Sequence, residues 1–271
     1  MAKSKKVRNP FETVDIKRIY PTICGDEFSS YRQNESNPYS LVHPFRLLMV
    51  GNSGSGKNHL LTNMIICPEY LPPFDKVYIF AHNSDQPIYK ILETLYSKES
   101  KEERAEDEKI EGPEVSVSSD IESASSLLKE LQERPDKEEQ ILVIFDDINQ
   151  SASEKKILED YYCNSRPSNI SVILLTQRIH SKTPTIVRTN STHYILFKPA
   201  NKDDFSLLNR TLTLDGDWAD YFVPILREAT REKYGYLLID LFSDKELLKI
   251  RKNFCYPINL DYMMGEKKDK K

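Results

Sequence analysis

A glycine-rich turn between an apolar run and a helical pattern constrains the fold of this chain more than any other feature. The apolar run is FRLLMVG at 45–51, and the turn and the start of the helix read GNSGSGKNHLL at 51–61. Glycines let the backbone wrap a phosphate group with inward-pointing N–H groups, and the helix N-terminus adds partial positive charge. Lys57 can reach the β- and γ-phosphates of a nucleotide. The pattern therefore predicts a phosphate-binding loop (P-loop, or Walker A motif) between a strand and a helix.

The residues of this loop are the candidates for contact with ATP. They are Gly51, Asn52, Ser53, Gly54, Ser55, Gly56, Lys57, Asn58 and His59.

Further apolar runs predict the rest of the sheet. With the first run, they form a set of five at 45–51, 76–81, 140–147, 171–177 and 193–198, and a late strand follows at 234–242. The five are apolar throughout, which is typical of strands buried on both faces. Helical patterns fill the intervals at 57–66, 86–97, 121–134, 153–163 and 203–213, and a terminal helix is predicted at 243–253. We expect an α/β fold with a mostly parallel, doubly wound sheet.

The charge pattern divides the chain into a central domain and two basic ends. We expect an extended basic arm at 1–40, a P-loop domain at 41–255 and a basic tail at 256–271. The ends are either solubilising tails or nucleic-acid contacts. The segment at 97–114 is nearly all charged, so it is either a solvated helix extension or a disordered insertion.

Composition narrows the class of protein. Four widely spaced cysteines among 271 residues predict free thiols in a reducing compartment rather than a zinc site or disulfides. The N-terminus is polar, and no apolar run approaches the ~20 residues of a membrane helix, so we expect an intracellular protein without a membrane segment. The net charge of −4 does not mark a basic nucleic-acid binder, although local basic loops can still bind DNA.

The run ILVIFDD ends in two acidic residues, Asp146 and Asp147. A P-loop enzyme needs a carboxylate at the end of a buried strand to hold Mg²⁺, and we assign this Walker B role to Asp146. Asp147 is the candidate catalytic acid that polarises the attacking water, where many such hydrolases have Glu. The alternative for Asp147 is a helix-capping or loop acid.

The run SVILLTQ ends in Thr176 and Gln177. Ligands of open α/β sheets lie at the carboxyl ends of strands, so Gln177 is a candidate sensor of the γ-phosphate and of the attacking water. Arg166, Arg178 and Arg188 flank this run and are candidates for a cation that stabilises the transferred phosphoryl group. Ordinary surface charge is the alternative for each arginine.

Asn58 occupies the position that normally carries a Ser or Thr hydroxyl ligand for Mg²⁺. Its amide oxygen is also a neutral hard ligand, but it lies one bond further from the backbone. Three outcomes are open: Asn58 coordinates Mg²⁺, acts through a water, or makes no contact. We expect hydrolysis that is weakened but not abolished.

Taken together, four segments carry a family resemblance. GNSGSGKNHLL, ILVIFDDI, SRPSNISVILLTQ and PTIVRTNSTHYILFK resemble the genome-packaging ATPases of poxviruses, other large nucleocytoplasmic DNA viruses, virophages and Polinton-like elements, in the FtsK/HerA superfamily. The resemblance covers roughly residues 40 to 210. It implies a P-loop NTPase fold with strand order 5-1-4-3-2, the cofactors ATP and Mg²⁺, and a catalytic set of Lys57, Asp147, Gln177 and Arg166, the last acting on a neighbouring subunit.

The resemblance also implies partners and a location. The partners are double-stranded DNA, other copies of the chain in a ring, and viral capsid proteins, in the virion or the infected cell. RIHSK at 178–182 and FKPANK at 197–202 are candidate DNA-contacting loops, with surface charge as the alternative. Two rival functions remain: another P-loop enzyme such as a nucleotide kinase, and a scaffold that binds nucleotide without hydrolysing it, which Asn58 motivates.

Overall fold

The computed structural model describes residues 37–66, 70–97, 112–135, 137–148, 151–179, 183–199, 202–212 and 218–258. Most of the predicted N-terminal arm, of the charged insertion and of the basic tail lie outside these residues, as do residues 180–182 and 200–201 of the two candidate DNA-contacting stretches.

A nine-stranded sheet forms the centre of the molecule. Its strands are β1 (Arg46–Val50), β2 (Lys76–Ala81), β3 (Glu114–Ser118), β4 (Ile141–Asp146), β5 (Ile170–Thr176), β6 (His193–Leu196), β7 (Leu237–Asp240), β8 (Ile250–Lys252) and β9 (Tyr256–Pro257). The order across the sheet is β3-β2-β4-β5-β1-β6-β7-β8-β9. If the five strands predicted first are numbered along the chain, their order reads 5-1-4-3-2.

Across the sheet, every neighbouring pair from β3 through β2, β4, β5 and β1 to β6 is parallel. Strands β7, β8 and β9 then pair antiparallel. The carboxyl ends of β1, β4 and β5 therefore meet at one edge. Val50 pairs with Thr176 in the register of β1 and β5. Asp146 pairs with Leu175 in the register of β4 and β5. The residues that follow these strands are consequently brought together.

The helices of the described chain are α1 (Lys57–Ile66), α2 (Pro87–Tyr96), α3 (Ser123–Glu133), α4 (Ala152–Asn164), α5 (Thr185–Asn190), α6 (Lys202–Thr211), α7 (Trp218–Ala229) and α8 (Glu246–Lys249). Five of them match the helical patterns of the sequence to within two residues at either end. A capping box fixes the start of α4, since Ser151 Oγ accepts from the backbone of Glu154 while the Glu154 carboxylate accepts from the backbone of Ser151.

Two hydrophobic cores cover the two faces of the sheet. Leu48 and Val50 of β1 lie in one core, and Leu47 and Met49 lie in the other. Consecutive residues of a strand face opposite sides, so a strand with a core on each face must be apolar throughout. All six residues of β4 are buried, which agrees with this rule.

The C-terminal region differs from prediction. The helix expected at 243–253 is limited to Glu246–Lys249, and the chain then forms β8, which lies between β7 and β9 in the sheet. Arg251 of β8 is buried, and its guanidinium lies 3.4 Å from Asp240 of β7. Pairing with β7 therefore overrides the local helical pattern. The sheet also continues to β9, beyond the boundary predicted at residue 255.

Three further elements were not predicted. These are the edge strand β3, which starts at the last residue of the charged segment, the short helix α5, and helix α7, which contains Pro224. None of the described helices has the length and apolar character needed to cross a membrane.

Candidate functional site

Lys57 begins helix α1 and closes the P-loop. Its Nζ donates hydrogen bonds to the backbone oxygens of Gly51 at 2.6 Å and Asn52 at 3.1 Å. Only 7% of Lys57 is exposed. Burial lowers the pKa of its ammonium group, and the carboxylates of Asp146 and Asp147 oppose that shift. The loop therefore holds a buried cation that faces two acids.

The loop needs glycine at positions 51 and 56. A Cβ on Gly51 would lie 2.6 Å from Ser55 Oγ and 2.8 Å from Phe197 Cβ, closer than ordinary contacts allow. Gly56 has φ +102°, a conformation that residues with side chains rarely adopt. Ser55 Oγ is itself buried and has no hydrogen-bond partner in the described part of the chain. A buried hydroxyl of this kind fits a loop that receives a polar ligand.

Asp146 lies at the end of β4 and is surrounded by donors. Its Oδ2 accepts from Tyr89 Oη at 2.6 Å, from Asn58 Nδ2 at 3.0 Å and from Gln86 Nε2 at 3.4 Å. Asn58 Nδ2 also lies 3.0 Å from Gln86 Oε1. Burial, and then the Asp146 carboxylate, raise the pKa of Tyr89, so its hydroxyl stays a donor. The Asn58 amide nitrogen thus occupies the space beside Asp146.

Asp147 and Gln177 form a second pair at the same edge. Gln177 Nε2 donates to Asp147 Oδ2 at 2.7 Å. Asp147 has φ 48°, which is uncommon for a residue with a side chain, and its N–H donates to Leu175 O at 2.9 Å. The hydrogen bond to β5 holds this conformation. Uncommon backbone conformations of this kind are frequent at functional sites.

One cavity of about 900 Å³ joins these groups. Its lining includes Ser53, Gly54, Gly56, Lys57, Asn58, His59, Asp146, Asp147 and Gln177. The structure thus brings together most of the predicted site residues. Asn52 lies beside it, with Nδ2 3.5 Å from Lys198 O.

The residues at this cavity fit Mg²⁺ as part of a nucleotide complex. Within the described ranges, no three His, Cys, Asp or Glu side chains cluster as a metal site. Mg²⁺ commonly takes one or two protein ligands and completes its shell with phosphates and waters. The Asp146 carboxylate and the Asn58 amide, 3.0 Å apart beside the P-loop, form such a pair when the amide oxygen faces the metal.

The three candidate arginines lie in different places. Arg166 precedes β5, at the sheet edge opposite the P-loop, and its Cζ lies 5.6 Å from the centroid of the Phe242 ring. Arg188 donates to the backbone oxygens of Ile179 at 3.2 Å and Thr183 at 2.7 Å. Arg178 is exposed and follows Gln177 at the carboxyl end of β5.

Sequence reasoning missed Gln86 and Tyr89. Both belong to AHNSDQPIYK, the segment after β2, and Pro87 starts the helix that carries Tyr89. The available signal was position, because β2 lies next to β4 and its carboxyl end opens at the same edge. A polar segment there is expected to face the acids that follow β4.

Comparisons with known proteins agree on one group. The profile of the Poxvirus A32 protein family matches residues 36–271. The DNA packaging protein OPG160 of Variola virus is 26% identical over 202 residues, which span 73% of this chain and 67% of that protein. The Monkeypox virus protein of the same name is 27% identical over 199 residues, spanning 73% of this chain and 60% of that protein.

Solved structures agree on the fold. The DNA-packaging ATPase B204 from Sulfolobus Turreted Icosahedral Virus superposes with a TM-score of 0.51 at 15% identity, covering 80% of this chain and 99% of B204. ATPases 2 and 3 of EssC from Geobacillus thermodenitrificans superpose with a TM-score of 0.50 at 15% identity, covering 83% of this chain and 43% of EssC. The predicted α/β fold of a P-loop ATPase is confirmed.

Proposed function

We propose that this chain, which belongs to the Poxvirus A32 protein family, is an ATP-driven motor that moves double-stranded DNA into viral capsids. One observation carries the proposal: a P-loop lysine, two strand-end acids and a glutamine line a single cavity. That set can bind a nucleoside triphosphate and activate water against it. The names of the viral relatives support DNA packaging as the task.

In this proposal Lys57 changes partners when ATP binds. Its ammonium group now satisfies two loop carbonyls, at 2.6 Å and 3.1 Å. A phosphate chain in the loop offers the ammonium group a negatively charged acceptor, and hydrogen bonds between charged groups are the stronger kind. The loop amides of residues 51–57 would bind the same phosphates.

Asp147 and Gln177 would act on the attacking water. Asp147 accepts a proton or polarises the water, and the 2.7 Å bond from Gln177 orients its carboxylate. Gln177 follows β5, so a change at the γ-phosphate would be transmitted to Arg178, the next residue. Arg178 begins one of the two candidate DNA-contacting stretches.

Asp146 and Asn58 would hold Mg²⁺ directly or through water. When bound, Mg²⁺ neutralises charge that develops on the phosphates. Asn58 must turn its amide for this, because its nitrogen now donates to Asp146 at 3.0 Å.

Arg166 remains the proposed trans-acting cation. It lies at the edge opposite its own P-loop, so it can only act on a nucleotide bound by a neighbouring subunit. This assignment requires a ring in which the two edges of adjacent subunits meet. Exposed Arg178 and Lys198 lie at the other edge and are available to contact DNA phosphates. We propose that the ring works in the infected cell, at the capsid.

A scaffold that binds nucleotide without hydrolysing it is the second candidate. The observation that favours it is the engagement of Asn58 with Asp146, Gln86 and Tyr89, which fills the expected metal position with donors.

The deciding experiment is ATP hydrolysis by the full chain, with and without Mg²⁺ and with and without double-stranded DNA. The motor predicts turnover that requires Mg²⁺, rises with DNA, and is lost in Lys57→Ala. Tight ATP binding without turnover, in assembled protein with DNA present, would support the scaffold and contradict the motor.

A further inference from the structure

Tyr234 is an exposed aromatic residue in an unusual backbone conformation. Its side chain is 57% exposed, and its φ is 66°. A bulky residue with positive φ is uncommon and persists where the surrounding structure holds it. Tyr234 follows α7 and precedes β7, outside the motifs that define the P-loop site. Its exposure and conformation therefore call for a reason other than packing.

The ring of Tyr234 lies against the P-loop. A Cβ built on Gly56 would be 3.0 Å from Tyr234 Cδ1 and 3.6 Å from Cγ. Tyr234 also lines the same cavity as Lys57 and Asp146. An exposed aromatic ring is thus held beside the loop that would bind the phosphates of ATP.

Other aromatic and polar residues line the same cavity as Tyr234. Phe197 and Tyr236 line the cavity and are 2% and 8% exposed, with ring centroids 5.4 Å apart. His59 and Asn63 line it too, and they lie one turn apart on α1. An apolar wall with a few polar groups is the usual composition of a small-molecule site.

Lys233 does not prevent stacking on this ring. Its Nζ lies 4.9 Å from the ring centroid, and its side chain is exposed. A cation–π contact at an exposed site is weaker than the stacking of a base on an aromatic side chain, so a base can displace the lysine.

We propose that the ring of Tyr234 is the stacking surface for the nucleobase of the bound nucleoside triphosphate. The inference rests on the proposed binding of ATP. Tyr234 would contact the base of the nucleotide, and the P-loop would bind its phosphates. Stacking needs only the π-face of the base, so Tyr234 contributes affinity for adenine and guanine nucleotides alike.

The test compares two ligands on the full chain, both unaltered and in three variants. Tyr234→Asn removes the ring, and asparagine tolerates positive φ. Tyr234→Phe keeps the ring. Tyr256→Asn is the matched control, because Tyr256 is 48% exposed and lies on edge strand β9. Calorimetry measures the Kd of a non-hydrolysable ATP analogue and of inorganic tripolyphosphate, which has no base.

We expect Tyr234→Asn to weaken binding of the ATP analogue by about 5- to 150-fold and to leave tripolyphosphate binding unchanged. Tyr234→Phe and Tyr256→Asn should both bind the ATP analogue with the affinity of the unaltered chain. Equal weakening of both ligands would overturn the inference, because it would indicate a distorted P-loop.

Other outcomes separate this inference from the proposed function. If the unaltered chain binds the ATP analogue and Tyr234→Asn binds it equally well, the stacking role is wrong while ATP binding stands. If Tyr234→Asn instead loses self-association with unchanged affinity per subunit, the ring contacts another copy of the chain. If the unaltered chain binds neither ligand, both proposals fail.

Discussion

The side-chain amide nitrogen of Asn58 lies 3.0 Å from Oδ2 of Asp146 and donates a hydrogen bond to it. A P-loop that carries Ser or Thr at this position presents a hydroxyl oxygen to Mg²⁺ instead. The amide nitrogen cannot bind a cation. The Asn58 amide must therefore rotate before Asn58 and Asp146 can hold Mg²⁺ together. The rotation breaks the hydrogen bonds that Asn58 donates to Asp146 and Gln86.

Asn58→Thr should raise the turnover of ATP. Threonine presents an oxygen without a prior rotation, and it removes a donor from Asp146. We expect kcat to rise by about tenfold, equivalent to ~1.4 kcal/mol in the activation barrier. The measurement is steady-state hydrolysis across a Mg²⁺ titration. Asn58→Ala is the control, because it removes the amide without supplying an oxygen. Equal rates for the Thr and Ala variants would show that the hydroxyl adds nothing.

Tyr89→Phe should destabilise the fold modestly. Tyr89 is buried, and its hydroxyl lies 2.6 Å from the Asp146 carboxylate. Phenylalanine keeps the packing and deletes a hydrogen bond to a charged group, which contributes roughly 1.5–3 kcal/mol. We expect the free energy of unfolding to fall by an amount at the lower end of this range, because Asn58 and Gln86 remain as donors to Asp146. Urea unfolding measures this free energy. Tyr78→Phe, at a half-buried tyrosine on β2, is the comparison, and a larger loss there would refute this account.

Gln177→Glu should slow hydrolysis by a larger factor than it weakens ATP binding. Glutamate replaces the 2.7 Å hydrogen bond to Asp147 with repulsion between two carboxylates. Losing a hydrogen bond to a charged group corresponds to roughly 10- to 150-fold in rate. Single-turnover rates and nucleotide Kd values separate the two effects. Gln177→Ala removes the bond without adding charge, so it should lie between the unaltered chain and Gln177→Glu. A parallel loss of affinity in both variants would place Gln177 in nucleotide binding instead.

The parts of the fold that could be predicted are those in which local pattern and tertiary context agree. Strand β1 and helix α1 were predicted nearly to the residue because an apolar run, glycines and a helical pattern follow one another. Helix α7 was missed because Pro224 interrupts its pattern. Strand β8 was predicted as helix because its pairing with β7 is a contact between two strands, which the helical pattern of its own residues does not reveal.

The residues of the candidate site also divide into those that a local sequence pattern predicts and those that it does not. The P-loop, the acids of β4 and Gln177 follow recognisable runs, so their convergence on one cavity could be expected. Tyr89, Gln86 and Tyr234 carry no motif. Gln86 and Tyr89 reach Asp146 because β2 pairs with β4, and Tyr234 lies against Gly56 of the P-loop. No local pattern reveals these contacts.

Asp240 of β7 should make the stability of the fold depend on pH. Burial alone would raise the pKa of Asp240, but His193 and Arg251 more than offset this, so the pKa lies below its usual value. A carboxylate with a lowered pKa stabilises the fold above about pH 4, its value in unfolded chains, and this stabilisation is lost as pH falls through the folded pKa. Asp240→Asn leaves Arg251 buried without its charge partner, which costs about 3–5 kcal/mol at neutral pH.

The difference in unfolding free energy between the unaltered chain and Asp240→Asn should therefore narrow as the pH falls below about 4, where Asp240 itself becomes neutral. Urea unfolding at a series of pH values measures this difference. Adding Arg251→Met to Asp240→Asn should recover part of the loss, because the buried cation is then gone as well. A difference that stays constant from neutral pH to acid would show that Asp240 contributes through its shape and hydrogen bonds to Phe242 and Ser243 rather than through its charge.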